Sequence, residues 1–390
     1  MRLSRRRLGL STRAVHGLPP APGANTPLTT PIVQSSTFTN EVGSTDEVLY
    51  TRYGNNPNQR SLAQRLAALD GGEAAIAVAS GMGATALAHL AILNPGDHLI
   101  SCDWIYGGTR RLFEREFARL GIQVSFVDPS NPRIWKARLR NTTRAIFLET
   151  PTNPLMRVLD LEPLSALCHT EGIALIVDST FASPINLRPI EHGADVVIHS
   201  ATKYLNGHTD VIAGVVVGTE EMVEEVRQLM QMWGQALDPH AAWLVERGLK
   251  TLDVRMARHN ANGLAFAEWA SGEKAFTRVH YPGLPSHPDH ALAATQLDGF
   301  GGMVGLEVRG GADAAERMLR RLRLAQHAPS LGGVETLVSE PRVTSHAGLS
   351  SAQRAAQGIP DGFVRVSLGI EDVDDLIADF ARALRQPRRA

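Results

Sequence analysis

Short apolar runs rich in β-branched residues alternate with helical segments from about residue 61 to residue 240. The clearest of these runs are AAIAVASG, HLISC, GIQVSFVD, TRAIFLET, GIALIVDST and ADVVIHS. Such runs are typical of strands buried on both faces, and the segments between them are long enough for crossover helices. The alternation therefore predicts an α/β fold with a mostly parallel sheet covered by helices. Ligands of such sheets bind beyond the carboxyl ends of the strands, where Glu149, Asp178 and Ser200 each end a run.

The chain is longer than one hydrophobic core usually supports, because cores tend to divide beyond about 250 to 300 residues. Residues 1–60 are rich in Pro, Thr, Asn and Gly, which predicts an extended arm that requires a partner surface. Residues 61–240 are expected to form the large domain. Residues 241–390 begin with a long helical stretch followed by the strand-like segments GGMVGLEV and FVRVSLGI, which predicts a smaller C-terminal α/β domain.

The composition argues against several classes of partner. With 39 basic and 40 acidic residues the formal net charge is −1, so no global field attracts nucleic acid or an anionic membrane. No apolar run is long enough to predict a membrane span, and none of signal-peptide length follows the basic start, so a cytoplasmic enzyme is expected. Cys102 and Cys168 lack the spacing of metal ligands and are expected to be buried free thiols.

The segment SATKYLNGHTD directly follows the strand-like run ADVVIH and places Lys203 at the end of a buried strand. A lysine in partly desolvated surroundings has a lowered pKa and becomes a nucleophile that can form an imine. The neighbouring hydroxyl groups of Ser200 and Thr202 are suited to holding a phosphate. Taken alone, Lys203 is better explained as a surface lysine of a loop, because lysines at strand ends are common.

Asp178 ends the run ALIVD, 25 residues before Lys203. An aspartate after apolar strand residues requires a partner or a function, although a simple strand cap is the alternative. Pyridoxal 5'-phosphate (PLP) supplies such a partner, because a buried carboxylate keeps its pyridine nitrogen protonated and the ring electron-withdrawing. Lys203 and Asp178 together favour PLP.

The segment ASGMGA opens a helix just after an apolar strand. Gly81 and Gly83 allow close approach of the backbone, and the free amides of a helix N-terminus suit a phosphate. A tight turn alone would explain the same glycines. Arg52 and Tyr50, in the predicted arm, offer a guanidinium and a hydroxyl for the same phosphate.

Two further residues are candidates for contact with the cofactor or the substrate. Tyr106 follows the run HLISC, so its ring is expected at the sheet edge where it can stack on a flat cofactor, with core or rim packing as the alternative. Arg365 is a charge inside a strand of the C-terminal region and is suited to bidentate binding of a substrate carboxylate. A strand arginine that faces solvent is the alternative for Arg365.

Eight segments together resemble the Cys/Met-metabolism PLP-dependent enzymes: YTRYGNNP, SGMGA, YGGT, ETPTNP, DSTF, SATKYLNGH, GFGGM and SLGGVETL. This family includes cystathionine γ-synthase, cystathionine β- and γ-lyases and methionine γ-lyase. The resemblance runs from about residue 12 to residue 385 in consistent order. It implies the fold-type I PLP-transferase fold and a homotetramer built from active dimers.

The resemblance also implies a role for each matching residue. Lys203 corresponds to the Schiff-base lysine that then moves the substrate's α-proton, Asp178 to the partner of the pyridine nitrogen, and Tyr106 to the stacking ring. The remaining cofactor residues are Gly81, Met82, Ser200 and Thr202 at the phosphate, Thr180 at the ring, and Tyr50 and Arg52 at the phosphate of a neighbouring subunit. Asn153 and Arg365 are implied to contact the substrate carboxylate, with the phenolic oxygen of the cofactor as a second partner for Asn153.

Individual positions bear on which member of the family the chain resembles. Methionine γ-lyases carry a cysteine where this chain has Gly108, which argues against that activity. Arg111 and Glu335 match positions that hold the distal amino-acid end of cystathionine, which favours a long dipolar substrate. Leu49 stands where the family has an acidic residue, and Thr336 stands where it has a serine. Both departures weaken a γ-lyase assignment. Thr336 is nevertheless a further candidate for substrate binding.

The resulting prediction is a PLP-dependent carbon–sulfur lyase of trans-sulfuration that eliminates at Cγ or Cβ of L-cystathionine or a related amino acid. The first alternative is γ-replacement on an O-acyl-homoserine by a cystathionine γ-synthase or a sulfhydrylase. An aminotransferase and a non-catalytic regulator with the same fold are more distant alternatives. No metal is expected to take part.

Overall fold

A seven-stranded sheet forms the centre of the first part of the chain in a computed structural model, which describes residues 8–17, 25–131 and 133–385. Its strands are β1 (Ala74–Val78), β2 (His98–Cys102), β3 (Gln123–Val127), β4 (Thr143–Glu149), β5 (Ala174–Asp178), β6 (Val196–His199) and β7 (Gly214–Gly218). The spatial order is β1-β7-β6-β5-β4-β2-β3, and β7 runs antiparallel to both of its neighbours while the other pairs are parallel. The predicted mostly parallel sheet is confirmed.

The connections between these strands contain helical segments, as parallel pairing favours, except the one from β6 to its antiparallel neighbour β7. The helices up to the end of the first sheet are α1 (Leu10–His16), α2 (Pro57–Asp70), α3 (Gly81–Leu90), α4 (Gly107–Arg111), α5 (Arg133–Ala137), α6 (Leu161–Glu171) and α7 (Ser183–Asn186). A π-helical segment, Leu112–Phe117, continues α4 without a break. Short 3-10 turns cover Thr51–Tyr53 and Pro189–His192.

Apolar runs become the innermost strands because both faces of the sheet are covered. Every residue of β2, β6 and β7 is buried, and so are six of the seven residues of β4. A polar residue at the last position of such a strand lies where the apolar packing ends. Glu149 ends β4, Asp178 ends β5 and His199 ends β6, and these three strands are neighbours, so the three ionisable groups lie side by side at one edge of the sheet.

A second, five-stranded sheet forms the C-terminal part, in the order β10-β11-β12-β9-β8. Its strands are β8 (Phe276–His280), β9 (Met303–Val308), β10 (Gln326–His327), β11 (Leu337–Ser339) and β12 (Phe363–Ser367). The later helices are α8 (Glu220–Trp233), α9 (Pro239–Leu249), α10 (Leu252–Gly272), α11 (His290–Gln296), α12 (Gly311–Leu319), α13 (Ser351–Ala356) and α14 (Val373–Leu384), and a 3-10 turn covers Pro341–Val343. The predicted smaller C-terminal α/β unit is confirmed.

Helix α10 belongs to both hydrophobic cores. Leu252 and Met256, near its start, pack in the core of the first sheet, whereas Phe266 and Ala270, near its end, pack in the core of the second. The predicted boundary near residue 240 stays a prediction. None of the helices within the described ranges is both long and apolar enough to cross a membrane.

The N-terminal segment is partly helical. Helix α1 packs against α2 and α10 and lies within the 60 residues for which the sequence predicts an extended arm. Helix α2 already begins at Pro57, so its first turn lies there as well. Seven residues with a single buried side chain, Ala14, give too weak a periodic signal to predict α1. Between residues 25 and 50 the chain has no helix, and the one β-bridge there pairs Thr37 with Tyr50.

A buried arginine holds the loop that follows Lys203. Arg255 in α10 is 3% exposed and donates to the carbonyl oxygens of Tyr204 at 2.7 Å and Gly248 at 2.9 Å. A longer contact of 3.4 Å reaches the carbonyl oxygen of Leu205. Burial lowers the pKa of Arg255 to about 10, and no acidic residue of the described chain forms an ion pair with it. The guanidinium therefore serves as a clamp that satisfies buried carbonyl groups and connects the Lys203 loop to α9 and α10.

We expect the substitution Arg255→Met to lower the free energy of unfolding by about 3 kcal/mol, because it leaves buried carbonyl groups without a donor. Thermal and urea-induced unfolding measure this loss. Arg258→Met, on the exposed side of the same helix, is the matched control and should change the stability by less than about 0.5 kcal/mol. Equal losses of stability in the two variants would contradict the role of Arg255 as a clamp.

Candidate active site

A cavity of about 700 Å³ opens at the carboxyl ends of β4, β5 and β6. Residues 329–331 and 343–345, from the C-terminal part of the chain, line it as well. Ten of the fifteen site residues predicted from the sequence line this cavity: Gly81, Met82, Tyr106, Asn153, Asp178, Thr180, Ser200, Thr202, Lys203 and Arg365. The fold therefore brings together residues that are up to 284 positions apart (365 − 81) in the chain.

Lys203 lies in the loop that follows β6, and its side chain points into the cavity. Its Nζ donates a hydrogen bond of 2.6 Å to the hydroxyl oxygen of Ser330. Burial, with the positive charge of Arg365 as the smaller cause, lowers the pKa of Lys203 to about 8. A larger fraction of this amine is consequently neutral near physiological pH than of an ordinary lysine, which suits a nucleophile or a base.

Asp178 is held in place by the loop that follows β5. The backbone amide of Thr180 donates to its Oδ1 at 2.9 Å, and the hydroxyl of Thr180 accepts a bond of 2.8 Å from the amide of Ser200. Burial raises the pKa of Asp178. None of the lysines or arginines in the described chain forms an ion pair with this carboxylate. It is a half-buried acceptor that lines the cavity, which fits a cationic ring nitrogen.

The start of α3 forms a cradle of the kind that binds phosphate. The side chain of Ser80 caps the helix by accepting from the amide of Gly83 at 3.0 Å. Gly81 lies so close to Ser200 that a β-carbon added at Gly81 would be 2.7 Å from the Cβ of Ser200. Only glycine allows this approach, which places a helix N-terminus and a serine hydroxyl on the same wall. The hydroxyl of Thr202 already bonds the backbone of Ala213, as donor at 3.2 Å and as acceptor at 3.0 Å.

Arg365 in β12 forms the opposite wall. Its Nη1 donates to the side-chain oxygen of Asn153 at 3.0 Å, and its Nη2 donates to the carbonyl oxygen of Ser330 at 2.9 Å. The side chain is buried, which lowers the pKa of Arg365 to about 10. Because no acidic residue of the described ranges forms an ion pair with it, Arg365 is a buried cation facing a cavity, and it is suited to a carboxylate ligand.

Tyr106 is the residue immediately before α4, and its side chain is 43% exposed at the cavity wall. Its backbone amide donates to Oε1 of Glu149 at 2.8 Å. Gly108 lies against its ring, since a β-carbon added there would be 2.4 Å from the Cε1 atom of Tyr106. The position of the ring therefore depends on Glu149 and on the absence of a side chain at position 108.

Five predicted site residues do not line the cavity of their own chain. Arg52 donates to the carbonyl oxygen of Gln231 at 2.6 Å, and its guanidinium lies 5.5 Å from the ring centre of Tyr50. Arg111 lines a smaller cavity of about 110 Å³ beside the main one. Glu335 is exposed and accepts from the hydroxyl of Thr209 at 3.1 Å.

The hydroxyl of Thr336, the fifth of these residues, is hydrogen-bonded within its own chain. Its hydroxyl donates to Glu371 at 2.8 Å and accepts from the amide of Gly369 at 2.9 Å, and the residue is fully buried. A threonine with both partners supplied by its own chain has no free hydroxyl for a substrate. The structure thus does not bring Thr336 to the site for which the sequence predicted it.

Among the cavity residues for which the sequence predicted no role, Ser330 and Glu149 make contacts that bear directly on the site. Ser330 bonds Lys203 through its hydroxyl and Arg365 through its carbonyl, and its positive φ of 95° is unusual for a serine. Its place at the start of the motif SLGGVETL was the available signal. Glu149 is marked in the sequence by its position at the end of an apolar run, like Asp178.

The groups around the cavity fit PLP. An unpaired carboxylate, Asp178, suits the pyridine nitrogen, the amine of Lys203 suits the aldehyde, and the start of α3 suits the phosphate. The close approach of Gly81 to Ser200 is the most specific of these features, because it keeps open the space that a side chain would fill. Within the described chain, no group of three or more His, Cys, Asp or Glu residues is arranged to hold a metal ion.

Comparison with known proteins places the chain in a family. The sequence model of the Cys/Met metabolism PLP-dependent enzymes matches residues 11–385. An L-methionine gamma-lyase of Fusobacterium nucleatum subsp. polymorphum is 41% identical, and the match covers 98% of this chain and 99% of that protein. A cystathionine beta-lyase of Lactococcus lactis subsp. cremoris is also 41% identical, over 97% of this chain and 99% of its own length.

A solved structure agrees with these sequence relatives. The cystathionine gamma synthase of Xanthomonas oryzae pv. oryzae, in complex with aminoacrylate and cysteine, superposes with a TM-score of 0.93 at 38% identity, over 97% of this chain and 98% of that one. The predictions of the fold-type I fold and of PLP as cofactor are confirmed, and small amino acids are the substrates consistent with such a family. The chain belongs to the Cys/Met metabolism PLP-dependent enzymes, which in these relatives include carbon–sulfur lyases.

Proposed function

We propose that this enzyme is a carbon–sulfur lyase of trans-sulfuration that cleaves L-cystathionine or a related sulfur amino acid. Elimination at Cγ or Cβ yields a keto-acid, ammonia and a thiol. The observation that carries the proposal is the pair formed by Lys203 and Arg365, a base with a lowered pKa and a buried unpaired cation in one cavity. An amino-acid substrate has a carboxylate for the cation and an α-proton for the base.

The residues around the cavity are assigned different roles in the reaction. When bound, PLP withdraws electrons from the bonds at the substrate's Cα. Lys203 Nζ accepts the α-proton, and its 2.6 Å bond to Ser330 fixes the direction from which it does so. Asp178, held by the amide of Thr180, supplies the negative charge that balances the pyridine nitrogen. Tyr106 contributes its ring as one face of the cofactor site and its hydroxyl near the leaving group.

Substrate orientation is assigned to Arg365 and Asn153. The guanidinium is already fixed by hydrogen bonds to Asn153 and to the carbonyl of Ser330, so little side-chain entropy is lost when a carboxylate binds. The phosphate of the cofactor is assigned to Gly81, Met82, Ser200 and Thr202. These residues fix the cofactor at the end opposite to Arg365. Thr202 would donate to the phosphate in place of its 3.2 Å bond to the carbonyl oxygen of Ala213, which is long for a hydroxyl donor.

Gly108 bears on the choice among the lyases. Its added β-carbon would be 2.4 Å from the Tyr106 ring and 3.2 Å from the sulfur of Met82, so a cysteine at this position would require the ring to move. This supports a preference for cystathionine-type substrates over methionine. Arg111 and Glu335 remain proposed contacts for the distal end of the substrate, and Thr336, whose hydroxyl is satisfied within the chain, is proposed only to support them.

A second candidate function is γ-replacement on an O-acyl-homoserine. The likeness to the cystathionine gamma synthase of Xanthomonas oryzae pv. oryzae favours it, because the superposition is close over nearly the whole of both chains. Elimination and replacement use the same base and the same carboxylate site. They differ in whether a thiol enters after the leaving group departs.

For the assembly we propose a cytoplasmic homotetramer made of two active dimers. Tyr50 and Arg52 lie outside the cavity of their own chain, and the chain before them, from residue 25, is largely exposed. Leu28 and Val42 in this segment are fully exposed apolar side chains. A neighbouring subunit would cover them and would receive Tyr50 and Arg52 at the phosphate of its cofactor.

Incubation of the purified protein with L-cystathionine, without a thiol, tests the proposed reaction. We expect a yellow protein that releases a keto-acid, identified by mass: 2-oxobutanoate for elimination at Cγ, pyruvate for elimination at Cβ. Intact cystathionine, together with consumption of O-succinylhomoserine only when cysteine is added, would favour γ-replacement instead. A colourless protein that PLP does not restore would refute both functions.

Hybrid oligomers test the shared site. Lys203→Ala and Arg52→Ala chains, each inactive alone, should regain about a quarter of the wild-type activity when co-expressed, because about half of the dimers are hybrids with one complete site. Lys203→Ala with Asp178→Asn is the matched control and should regain nothing, since both residues belong to the same cavity. Absence of recovery in the first pair would contradict the assignment of Arg52 to a neighbour.

A further inference from the structure

Two carboxyl groups stand next to each other at the edge of the sheet. Glu149 ends β4 and Asp178 ends β5, and the two residues are register partners in a parallel pair. Neighbouring strands lie about 4.8 Å apart, so the two side chains leave the sheet at nearly the same place. Both line the cavity. Asp178 has an assigned partner in the cofactor, whereas the charge state of Glu149 has not been assigned.

The two carboxyl groups differ in what stabilises a negative charge. Asp178 accepts a bond of 2.9 Å from the amide of Thr180, and the next strand places His199 beside it. Glu149 accepts one bond of 2.8 Å, from the amide of Tyr106. In the described chain no Lys, Arg or His forms an ion pair with Glu149. The site therefore favours a negative charge on Asp178 over one on Glu149.

His199, the buried histidine at the end of β6, is already paired. The Nε2 of His199 lies 3.1 Å from each carboxylate oxygen of Asp70, and both side chains are buried. Although burial acts against it, the charges of Asp70 and then Asp178 raise the pKa of His199. One imidazolium thus balances Asp70 and the pyridine nitrogen balances Asp178, whereas neither Lys203 nor Arg365, which line the same cavity, forms an ion pair with Glu149.

We infer that Glu149 keeps its proton at neutral pH and acts as a positioning residue that fixes Tyr106 at the cofactor site. This inference rests on the proposed function for the meaning of that site. Two ionised carboxylates side by side in a buried place repel each other and lack solvation, so one of them retains a proton. A neutral Glu149 still accepts the bond from the Tyr106 amide and would leave Asp178 as the single negative charge of this pair of carboxyl groups.

The direction in which the pKa of Glu149 is shifted agrees with this geometry. Burial, and then the charge of Asp178, raise the pKa of Glu149 well above its ordinary value. Asp178 is the register partner of Glu149, the Tyr106 amide bonds it, and Cys102 at the end of β2 lies close enough to be affected by its charge. The other titratable and charged groups on the neighbouring elements are Asp103 after β2, His199 at the end of β6, and Lys203 and Arg365, which line the same cavity. Burial raises the pKa of Cys102, so this thiol stays neutral over the same range.

The apoprotein allows a test that does not depend on catalysis. A carboxyl group whose pKa is raised by folding stabilises the protein below its unfolded pKa, and this stability is lost as pH rises through the folded pKa. Between about pH 5 and pH 8 the folding equilibrium of the wild type should therefore weaken by up to about tenfold per pH unit relative to Glu149→Gln. Thermal unfolding across this range measures the difference.

If the stability of the wild type and of Glu149→Gln depends on pH in the same way, the inference that Glu149 is protonated is wrong. Asp160→Gln, an exposed carboxylate just before α6, is the control and should give a curve parallel to the wild type between about pH 5 and pH 8. This experiment uses the apoprotein without PLP, so its outcome does not depend on whether the proposed reaction takes place.

Hydrogen exchange of the apoprotein tests the positioning role. Glu149→Gln keeps an oxygen that accepts the Tyr106 amide, whereas Glu149→Leu removes it. The amide of Tyr106 should exchange at the wild-type rate in the first variant and about tenfold faster in the second. Equal exchange in both would refute the positioning role. If Glu149→Leu does not fold, a faster exchange in Glu149→Gln than in the wild type would refute it as well.

Addition of PLP provides a further readout. If Glu149 is neutral, the pH at which the visible absorbance of the lysine-bound cofactor changes should be the same in the wild type and in Glu149→Gln. A midpoint that moves to lower pH in Glu149→Gln would mean that a negative charge had been removed, which would overturn the inference.

Discussion

Desolvation of ionisable groups at the carboxyl ends of β4, β5 and β6 is the constraint on which the site depends. The strands themselves are apolar because helices cover both faces of the sheet, so the first polar position of each strand falls at the same edge. Charges placed there have little water around them and must find partners within the cavity. The same burial that forms a stable core also gives Lys203, Asp178 and Glu149 their altered proton affinities.

The C-terminal part of the chain completes this edge. Ser330 connects the two halves of the site, because its hydroxyl contacts Lys203 and its carbonyl contacts Arg365. Arg365 in turn lowers the pKa of Lys203, although less than burial does, and offers a buried positive charge to a carboxylate. Binding of an amino acid and removal of its proton are therefore coupled through one small set of contacts between the two sheets.

The sequence predicts the features that depend on local pattern. The parallel sheet follows from apolar runs, and Lys203, Asp178 and Gly81 follow from motifs at strand ends. Ser330 could not be assigned in this way, because its contact with Lys203 joins residues 127 positions apart. For Thr336 the motif predicted a substrate contact that the structure does not show. Its hydroxyl donates to Glu371, 35 residues away, and the motif gave no sign of this long-range bond. Tyr50 and Arg52 lie outside the cavity of their own chain, so the role predicted for them would require a second chain.

Chemical trapping of the cofactor tests the central claim, that Lys203 holds PLP at this edge of the sheet. Lys203 is one of four lysines in the sequence, with Lys136, Lys250 and Lys274. The purified yellow protein is reduced with borohydride, digested, and its peptides are mapped by mass. We predict one phosphopyridoxyl group per chain, attached to Lys203. Modification of any of the other three lysines, with Lys203 unmodified, would contradict the account.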